Sequence, residues 1–175
     1  MTADARSGYR VVPLTREHAA DILRIFNEHV VGGFAAYPET PVSEAFVDGL
    51  LRSAAGFPAR VAEVDGGDVV GFGLLRPYSP VPVFAHTAVV TIFLTAEWVG
   101  RGVGTAILCQ MLQEAPPLGL TRILAHVSSK NPRSLAFHRK QGFVECGWFP
   151  GIGRKWGEAF DVVWMVKALD PSEGA

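Results

Sequence analysis

Residues 100–104, which read GRGVG, place three glycines and an arginine directly before a run of apolar residues at helical spacing. Glycine lets the backbone approach a ligand closely, and the first N–H groups of a helix have no intrahelical partner. The positive end of the helix dipole lies at the same place, and Arg101 adds a formal charge. The spacing predicts a phosphate-binding helix start. The alternative is a turn in which glycine only relieves steric crowding.

Two common nucleotide-binding motifs do not fit these glycines. A P-loop requires a lysine and then serine or threonine after its last glycine, and no lysine follows Gly104. A dinucleotide fingerprint requires a small residue at the position of Ile107 and an acidic residue near the end of the next strand, where residues 122–130 contain none. A nucleotide-binding module is therefore disfavoured as the alternative function.

The glycine loop resembles the diphosphate loop of the GNAT superfamily of N-acetyltransferases, which has the form Gln/Arg-x-x-Gly-x-Gly/Ala. Residues 102–104 match its last three positions, and Val99 departs from the first. A second stretch, NPRSLAFHRKQGF, is similar to the superfamily motif Asn-x-x-Ser-x-x-Phe/Leu-Tyr/His-x-x-x-Gly-Phe. The matching residues are Asn131, Ser134, Phe137, His138, Gly142 and Phe143. The closing stretch GRKWGEAFDVVWM resembles the phosphinothricin-acetyltransferase branch, and the similarity covers roughly residues 8–169.

The resemblance implies that acetyl-CoA is the cosubstrate. Its diphosphate would lie on the glycine loop, and its pantetheine arm would lie between two splayed parallel strands, here residues 91–95 and 122–127. The coenzyme-binding residues that the resemblance implies are Phe93, Leu94, Thr95, Arg101, Gly102, Val103, Gly104, Thr105, Asn131 and Ser134.

The resemblance also implies that the amine of a small molecule attacks the thioester directly. An ammonium group of pKa about 10 must first lose a proton, and the leaving thiolate benefits from a general acid. His138 stands where the superfamily has Tyr or His in the acid role, and imidazole exchanges protons near neutral pH. The interpretation without catalysis is a helix histidine that faces solvent.

The general base is poorly defined, because Val89 stands where the phosphinothricin branch has a glutamate. Valine cannot accept a proton, so His86, three residues earlier, is the candidate base. His86 also fits a strand-end histidine that bonds to loop backbone. Alternatively, a water chain carries the proton to bulk solvent, or the chain is a non-catalytic acyl-CoA-binding or sensing protein of the same fold.

The acceptor site is expected at the loop after the first helix, where Phe34 and Tyr37 lie. In this fold the loop shapes the site for the amine, and the branch suggests an amino acid or an analogue. Val31, however, stands where the branch often has a glutamate. Near the other end of the chain, Arg154 and Lys155 either meet an acidic substrate or form part of a solvated turn.

Bringing these residues together requires a mixed α/β sheet. The apolar patterns predict the order β-α-α-β-β-β-α-β-α-β-β, with about seven strands and helices on both faces. Residues 59–77 read as a hairpin around DGG. Asn131 and Pro132 start the helix that carries His138, and residues 150–158 read as a turn between the last two strands.

Length and charge limit the remaining possibilities. The chain has 175 residues and a net charge of −1, so we expect a flexible tail at residues 1–7 and a single domain at residues 8–170. The near-neutral charge gives no case for a nucleic-acid or membrane-surface partner. Two cysteines do not make a disulfide framework, and no metal site is expected. We therefore expect a cytoplasmic protein, and the resemblance implies a homodimer.

Overall fold

The computed structural model describes residues 8–169, so the predicted tail at residues 1–7 lies outside the described residues. Seven strands form one sheet. They are β1 (Tyr9–Pro13), β2 (Ala59–Val64), β3 (Val69–Pro77), β4 (Thr87–Leu94), β5 (Arg122–Ser128), β6 (Val144–Lys155) and β7 (Glu158–Ala168). Their spatial order is β1-β2-β3-β4-β5-β7-β6. The predicted fold class and element order are confirmed.

Four α-helices cover the two faces of the sheet. They are α1 (Ala19–Val31), α2 (Glu44–Ser53), α3 (Val103–Glu114) and α4 (Pro132–Lys140). The apolar stripe of α1 packs with α2 against one face, which includes Phe72 and Leu74. The stripe of α3 packs against the opposite face, which includes Val90 and Ile123. Burying both faces in this way is what makes a largely apolar central strand such as β3 stable.

The sheet forks between β4 and β5. These two strands are parallel and pair only at Thr87↔Arg122, Ala88↔Ile123 and Val89↔Leu124. Beyond these pairs β4 runs on to Leu94 and β5 to Ser128 without pairing with each other. The neighbours β3 and β7 stay paired with β4 and β5 along their lengths. A gap therefore opens in the middle of the sheet.

The predicted turn at residues 150–158 is wrong. Strand β6 continues to Lys155, and only Trp156 and Gly157 form the turn before β7. Both turn residues have positive φ, 52° and 80°, as a type I′ hairpin requires. Pro150 suggested a turn, but it lies in the edge strand β6 where the pairing with β7 is irregular between Phe149 and Gly153, so no registered pair needs its missing N–H group.

Within residues 8–169, every helix is too short or too polar to cross a lipid bilayer.

Candidate active site

A cleft of about 1150 Å³ opens at the fork of the sheet. Its walls come from the separated parts of β4 and β5, the starts of α3 and α4, and the loop between α1 and α2. The predicted site residues that line it are Phe34, Tyr37, Phe93, Leu94, Gly102, Gly104, Thr105, Asn131, Ser134 and His138. Thr95, Arg101, Val103 and His86 are not among its lining residues.

The start of α3 has the geometry of an anion site. Gly102 precedes the helix with φ of 86°, a left-handed conformation that costs other residues about 1 kcal/mol. The first helical hydrogen bond joins the Ala106 N–H to the Gly102 carbonyl, at 3.0 Å. The N–H groups of residues 103–105 precede that bond and have no intrahelical acceptor. The Val103 side chain is buried in the core, so only its backbone is available to a ligand.

Arg101 lies beside this helix start without entering the cleft. It is exposed, and its guanidinium group lies 5.1 Å from the centre of the Trp98 ring. A positive charge at this place adds to the helix dipole across a short distance. The contribution of Arg101 is therefore electrostatic and does not depend on lining the cleft.

The start of α4 presents an amide to the cleft. The Asn131 Oδ1 accepts a hydrogen bond from the Ser134 N–H at 3.1 Å and so caps the helix. Its Nδ2 group makes no hydrogen bond with any residue of the described range, and Asn131 lines the cleft. On the opposite wall, the Leu94 carbonyl already accepts Nε2–H of His29 at 2.7 Å. At these two positions the cleft presents a free amide donor, on Asn131, and an occupied carbonyl, on Leu94.

His138 is buried, with 6% of its surface exposed. Its Nδ1–H donates to the Ser134 carbonyl at 2.8 Å. Burial lowers the pKa of His138, and the bond to Ser134 opposes that shift. The ring is therefore neutral at neutral pH, with the Nε2 lone pair unused by any residue in 8–169. In this state His138 accepts a proton before it can donate one.

His86 lies at the other end of β4 from the fork. It is exposed, and its carbonyl accepts N–H bonds from Thr121 and Arg122 at 2.9 and 3.2 Å. The three paired residues of β4 lie between His86 and the cleft. The structure does not bring His86 to the cleft, so its role as base stays a prediction.

Several charged or titratable residues of the cleft were not predicted as site residues from the sequence: His29, Arg76, His126, Lys130 and Arg133. Arg76 is half-buried, and its guanidinium makes no hydrogen bond or ion pair within the described range. Burial lowers the pKa of Arg76, but guanidinium stays protonated in proteins. An uncompensated cation in a partly dry cleft favours an anionic ligand. The only sequence signal for Arg76 was a charged residue ending an apolar strand.

The loop between α1 and α2 is fixed by a buried lysine. Lys155 is 0% exposed, and its Nζ donates to the carbonyls of Val30, Gly33 and Ala36 at 2.6, 2.6 and 2.7 Å. The Val30 carbonyl belongs to the last turn of α1, where carbonyls lack helical partners. Both predictions for Lys155 are therefore wrong: it is not solvated, and it does not line the cleft.

Trp156 holds the same loop from outside. Its backbone N–H donates to Glu39 Oε1 at 2.7 Å, and its Nε1–H donates to the Glu39 carbonyl at 3.1 Å. Its ring lies 5.9 Å from the ring of Phe34. These contacts compensate for the positive φ of Trp156, which is unusual for a bulky residue. The β6–β7 turn thus supports one wall of the cleft.

Comparison with known proteins decides the family. The sequence model of the acetyltransferase (GNAT) family matches residues 19–143, which include the glycine loop and the helix of His138. The chain belongs to this family. It is an enzyme that uses acetyl-CoA as the donor of the acetyl group.

Relatives of this acetyltransferase share most of its length. It is 31% identical over 158 residues to an L-methionine sulfoximine/L-methionine sulfone acetyltransferase of Pseudomonas aeruginosa, covering 88% of this chain and 91% of the relative. It is 30% identical to an L-amino acid N-acyltransferase of Escherichia coli, covering 68% of this chain and 69% of the relative. A phosphinothricin acetyltransferase of Sinorhizobium meliloti, solved with acetyl-CoA, superposes with a TM-score of 0.86 at 27% identity, covering 96% and 95% of the two chains.

The described part of the chain contains no group of three His, Cys, Asp or Glu side chains placed to ligate a metal ion.

Proposed function

We propose that this acetyltransferase transfers the acetyl group of acetyl-CoA to the primary amine of a small amino acid or an amino-acid analogue. The observation that carries the proposal is Arg76, a half-buried cation of the cleft that has no anionic partner within residues 8–169. The two oxygen atoms of a carboxylate can accept two parallel N–H bonds from a guanidinium group. The relatives named for methionine sulfoximine and L-amino acids also support a carboxylate-bearing acceptor.

The proposed position of the coenzyme is set by the hydrogen-bond donors of the cleft that have no partner. The N–H groups of residues 103–105 bind the diphosphate, with Arg101 adding charge from beside the helix start. The backbone of Phe93 and Leu94 contacts the thioester end of the coenzyme. Thr95, which directly follows β4, belongs to the same part of the coenzyme site. The Asn131 amide and Ser134 contact the arm on the α4 side. This arrangement leaves the α1–α2 loop, with Phe34 and Tyr37, for the acceptor.

Proton transfer at the leaving group is proposed for His138. When the amine nitrogen attacks the thioester carbon, the nitrogen becomes positively charged and the carbon–sulfur bond breaks. The neutral Nε2 of His138 takes a proton from that nitrogen and donates it to the sulfur, which leaves as the thiol. The lowered pKa of His138 suits this relay, because the ring begins the step unprotonated.

Replacing His138 by phenylalanine tests this role. We expect kcat to fall about 100-fold, because no other group relays the proton, while the Kd for acetyl-CoA changes little. Steady-state rates measured by thiol release, together with calorimetric titration of acetyl-CoA, separate the two quantities. Equal losses in kcat and in affinity would mean that His138 only shapes the coenzyme site.

Matched pairs of acceptors test the proposed substrate class. Each pair is an amino acid and the amine that lacks its carboxylate, and thiol release is measured with the unmodified protein. We expect kcat/KM to be at least about 100-fold higher for the acid, because the amine leaves Arg76 uncompensated. Equal values would reject the carboxylate. Acetyl-CoA binding without thiol release from any amine would identify the non-catalytic binding protein instead.

Two further proposals concern assembly and location. The edge strand β6 carries exposed apolar side chains, Val144, Trp148, Phe149 and Ile152, which supports a homodimer formed through this edge. Both cysteines, Cys109 and Cys146, are exposed free thiols, which supports a reducing compartment such as the cytoplasm. The net charge of −1 supports a small-molecule partner in preference to a nucleic acid or a membrane surface.

A further inference from the structure

The face of the sheet on which His126 lies is fixed by strand register. Arg76 pairs with Val89, and Val89 pairs with Leu124. Paired residues share a face, and residues two apart in a strand share it too. His126 therefore lies on the same face as Arg76 and Val89. This is the face covered by α1 and α2, because Leu74 packs with those helices while the neighbours of Val89 pack with α3.

His126 also lies directly at the fork. Leu124 makes the last pair between β5 and β4, and His126 is two residues further along β5, where the strands have separated. It lines the cleft together with Tyr37 of the α1–α2 loop. His126 places an imidazole on the same face as Val89, two residues beyond Leu124, which is the partner of Val89 on β5.

One tautomer of His126 satisfies both contacts of the Tyr37 hydroxyl, and the geometry favours it for that reason. The Tyr37 hydroxyl oxygen lies 3.1 Å from Nδ1 and 3.4 Å from the His126 carbonyl oxygen. Both contacts are satisfied when Nδ1–H donates to the hydroxyl and the hydroxyl donates to the carbonyl. The other tautomer leaves two oxygen atoms facing each other without a proton. The first arrangement leaves the free lone pair of the ring on Nε2. Burial raises the pKa of Tyr37 to about 12, so the hydroxyl keeps its proton and can donate it.

The Nε2 atom of His126 is open to the cleft. It makes no hydrogen bond with residues 8–169, and within that range no buried side-chain nitrogen or oxygen lacks a partner. An unpartnered Nε2 must therefore have access to the open space of the cleft. Among the described residues, the groups that face the ring are the Tyr37 hydroxyl, the Arg76 guanidinium and the Trp164 indole, and none of these is a carboxylate.

We propose that His126 is the general base of the reaction and that Tyr37 holds it in the receptive tautomer. Nε2 takes one proton from the acceptor ammonium and passes it to water. The freed nitrogen lone pair forms the bond to the acetyl carbon. The carbon–sulfur bond then breaks, His138 passes a second proton from the nitrogen to the sulfur, and the thiol leaves. One ammonium and one thioester give one amide, one thiol and one proton. This inference rests on the proposed acetyl transfer to an amine.

The electrostatics of the cleft support this role. Burial and the charge of Arg76 lower the pKa of His126, so the free enzyme holds the ring unprotonated at neutral pH. Since kcat/KM reports the free enzyme, we expect the acidic limb of kcat/KM to reflect this lowered pKa of His126.

Replacing His126 by glutamine tests the base. With an amino-acid acceptor we expect kcat/KM at pH 7 to fall about 100-fold. In the unmodified protein, kcat/KM should rise with pH as His126 loses its proton, at a pH below the usual histidine pKa of about 6.5, and should then reach a plateau. The His126→Gln profile should instead keep rising towards the pKa of the amine, because only the free amine reacts. With an aminooxy acid, whose nitrogen is unprotonated at neutral pH, the loss should be below about threefold.

His86→Gln is the matched comparison, since it removes the other candidate base. The proposal would be overturned if the acidic limb of kcat/KM changed in His86→Gln but not in His126→Gln. Equal losses of kcat/KM in His126→Gln with the amino acid and with the aminooxy acid would also overturn it. Imidazole added to His126→Ala should restore activity with the amino acid. If His126 variants fail to bind acetyl-CoA, Tyr37→Phe decides: it should slow the amino acid several-fold more than the aminooxy acid, and equal slowing of the two would overturn the proposal. Absence of thiol release from the unmodified protein would instead reject the transfer itself.

Discussion

Replacing Arg76 by glutamine is expected to lower kcat/KM for an amino-acid acceptor about 10³-fold, or about 4 kcal/mol. The guanidinium is half-buried and has no anionic partner in the described chain, so its full interaction is available to the acceptor carboxylate. The loss should appear mainly in KM for the amino acid. The amine that lacks the carboxylate should react as it does with the unmodified protein.

Arg52→Gln is the control for this substitution, because Arg52 is exposed on α2 and does not line the cleft. Arg76→Gln also has a pH signature. The cation lowers the pKa of His126, so its removal raises that pKa and moves the acidic limb of kcat/KM to higher pH. An unchanged limb together with an unchanged KM would show that Arg76 faces neither the carboxylate nor the base.

The second large effect concerns stability. Lys155→Met is expected to reduce the free energy of unfolding by about 4 kcal/mol, because three carbonyl oxygens lose their donor in a buried place. For a domain of this size the melting temperature should fall by about 10 °C. Denaturant titration and thermal unfolding measure both quantities. KM for the acceptor should rise as well, since the carbonyls belong to the loop that carries Phe34 and Tyr37.

Lys140→Met provides the comparison for Lys155, because Lys140 is exposed at the end of α4. Its replacement should leave the melting temperature within about 1 °C. Affinity of Lys155→Met for acetyl-CoA should stay close to that of the unmodified protein, since the glycine loop lies on another element. A variant as stable as the unmodified protein would show that water replaces the ammonium group among the carbonyls.

The elements of the fold could be predicted because each has a local signal. The buried residues of α1 are Ile22, Ile25, Phe26 and Val30, and their helical spacing is visible in the sequence. The glycine loop was also visible, because the left-handed conformation of Gly102 requires a residue without a side chain. Asn131 and Pro132 likewise mark the start of α4 by residue type alone.

The acceptor side of the cleft could not be predicted, because it depends on register between distant strands. His126 and Arg76 are 50 positions apart along the chain, and only the pairing through Val89 and Leu124 puts them on one face. A strand histidine looks the same on either face. Lys155 appeared to be a turn residue because its three acceptors lie about 120 positions away. His86 appeared suitable because it lies only three residues before Val89 in the sequence. In the structure, however, it lies next to the end of β4 that is paired with β5, away from the fork.

The fork leaves this protein with an incomplete sheet. Only three residue pairs join β4 to β5, and beyond them the two inner edges face each other across open space. The pantetheine arm carries amide groups, and in the proposed pose it fills that space as an absent strand would. The donor is thus also a structural component, since a ligand that binds only the folded chain stabilises it. We therefore expect the melting temperature of the protein to rise with the concentration of acetyl-CoA.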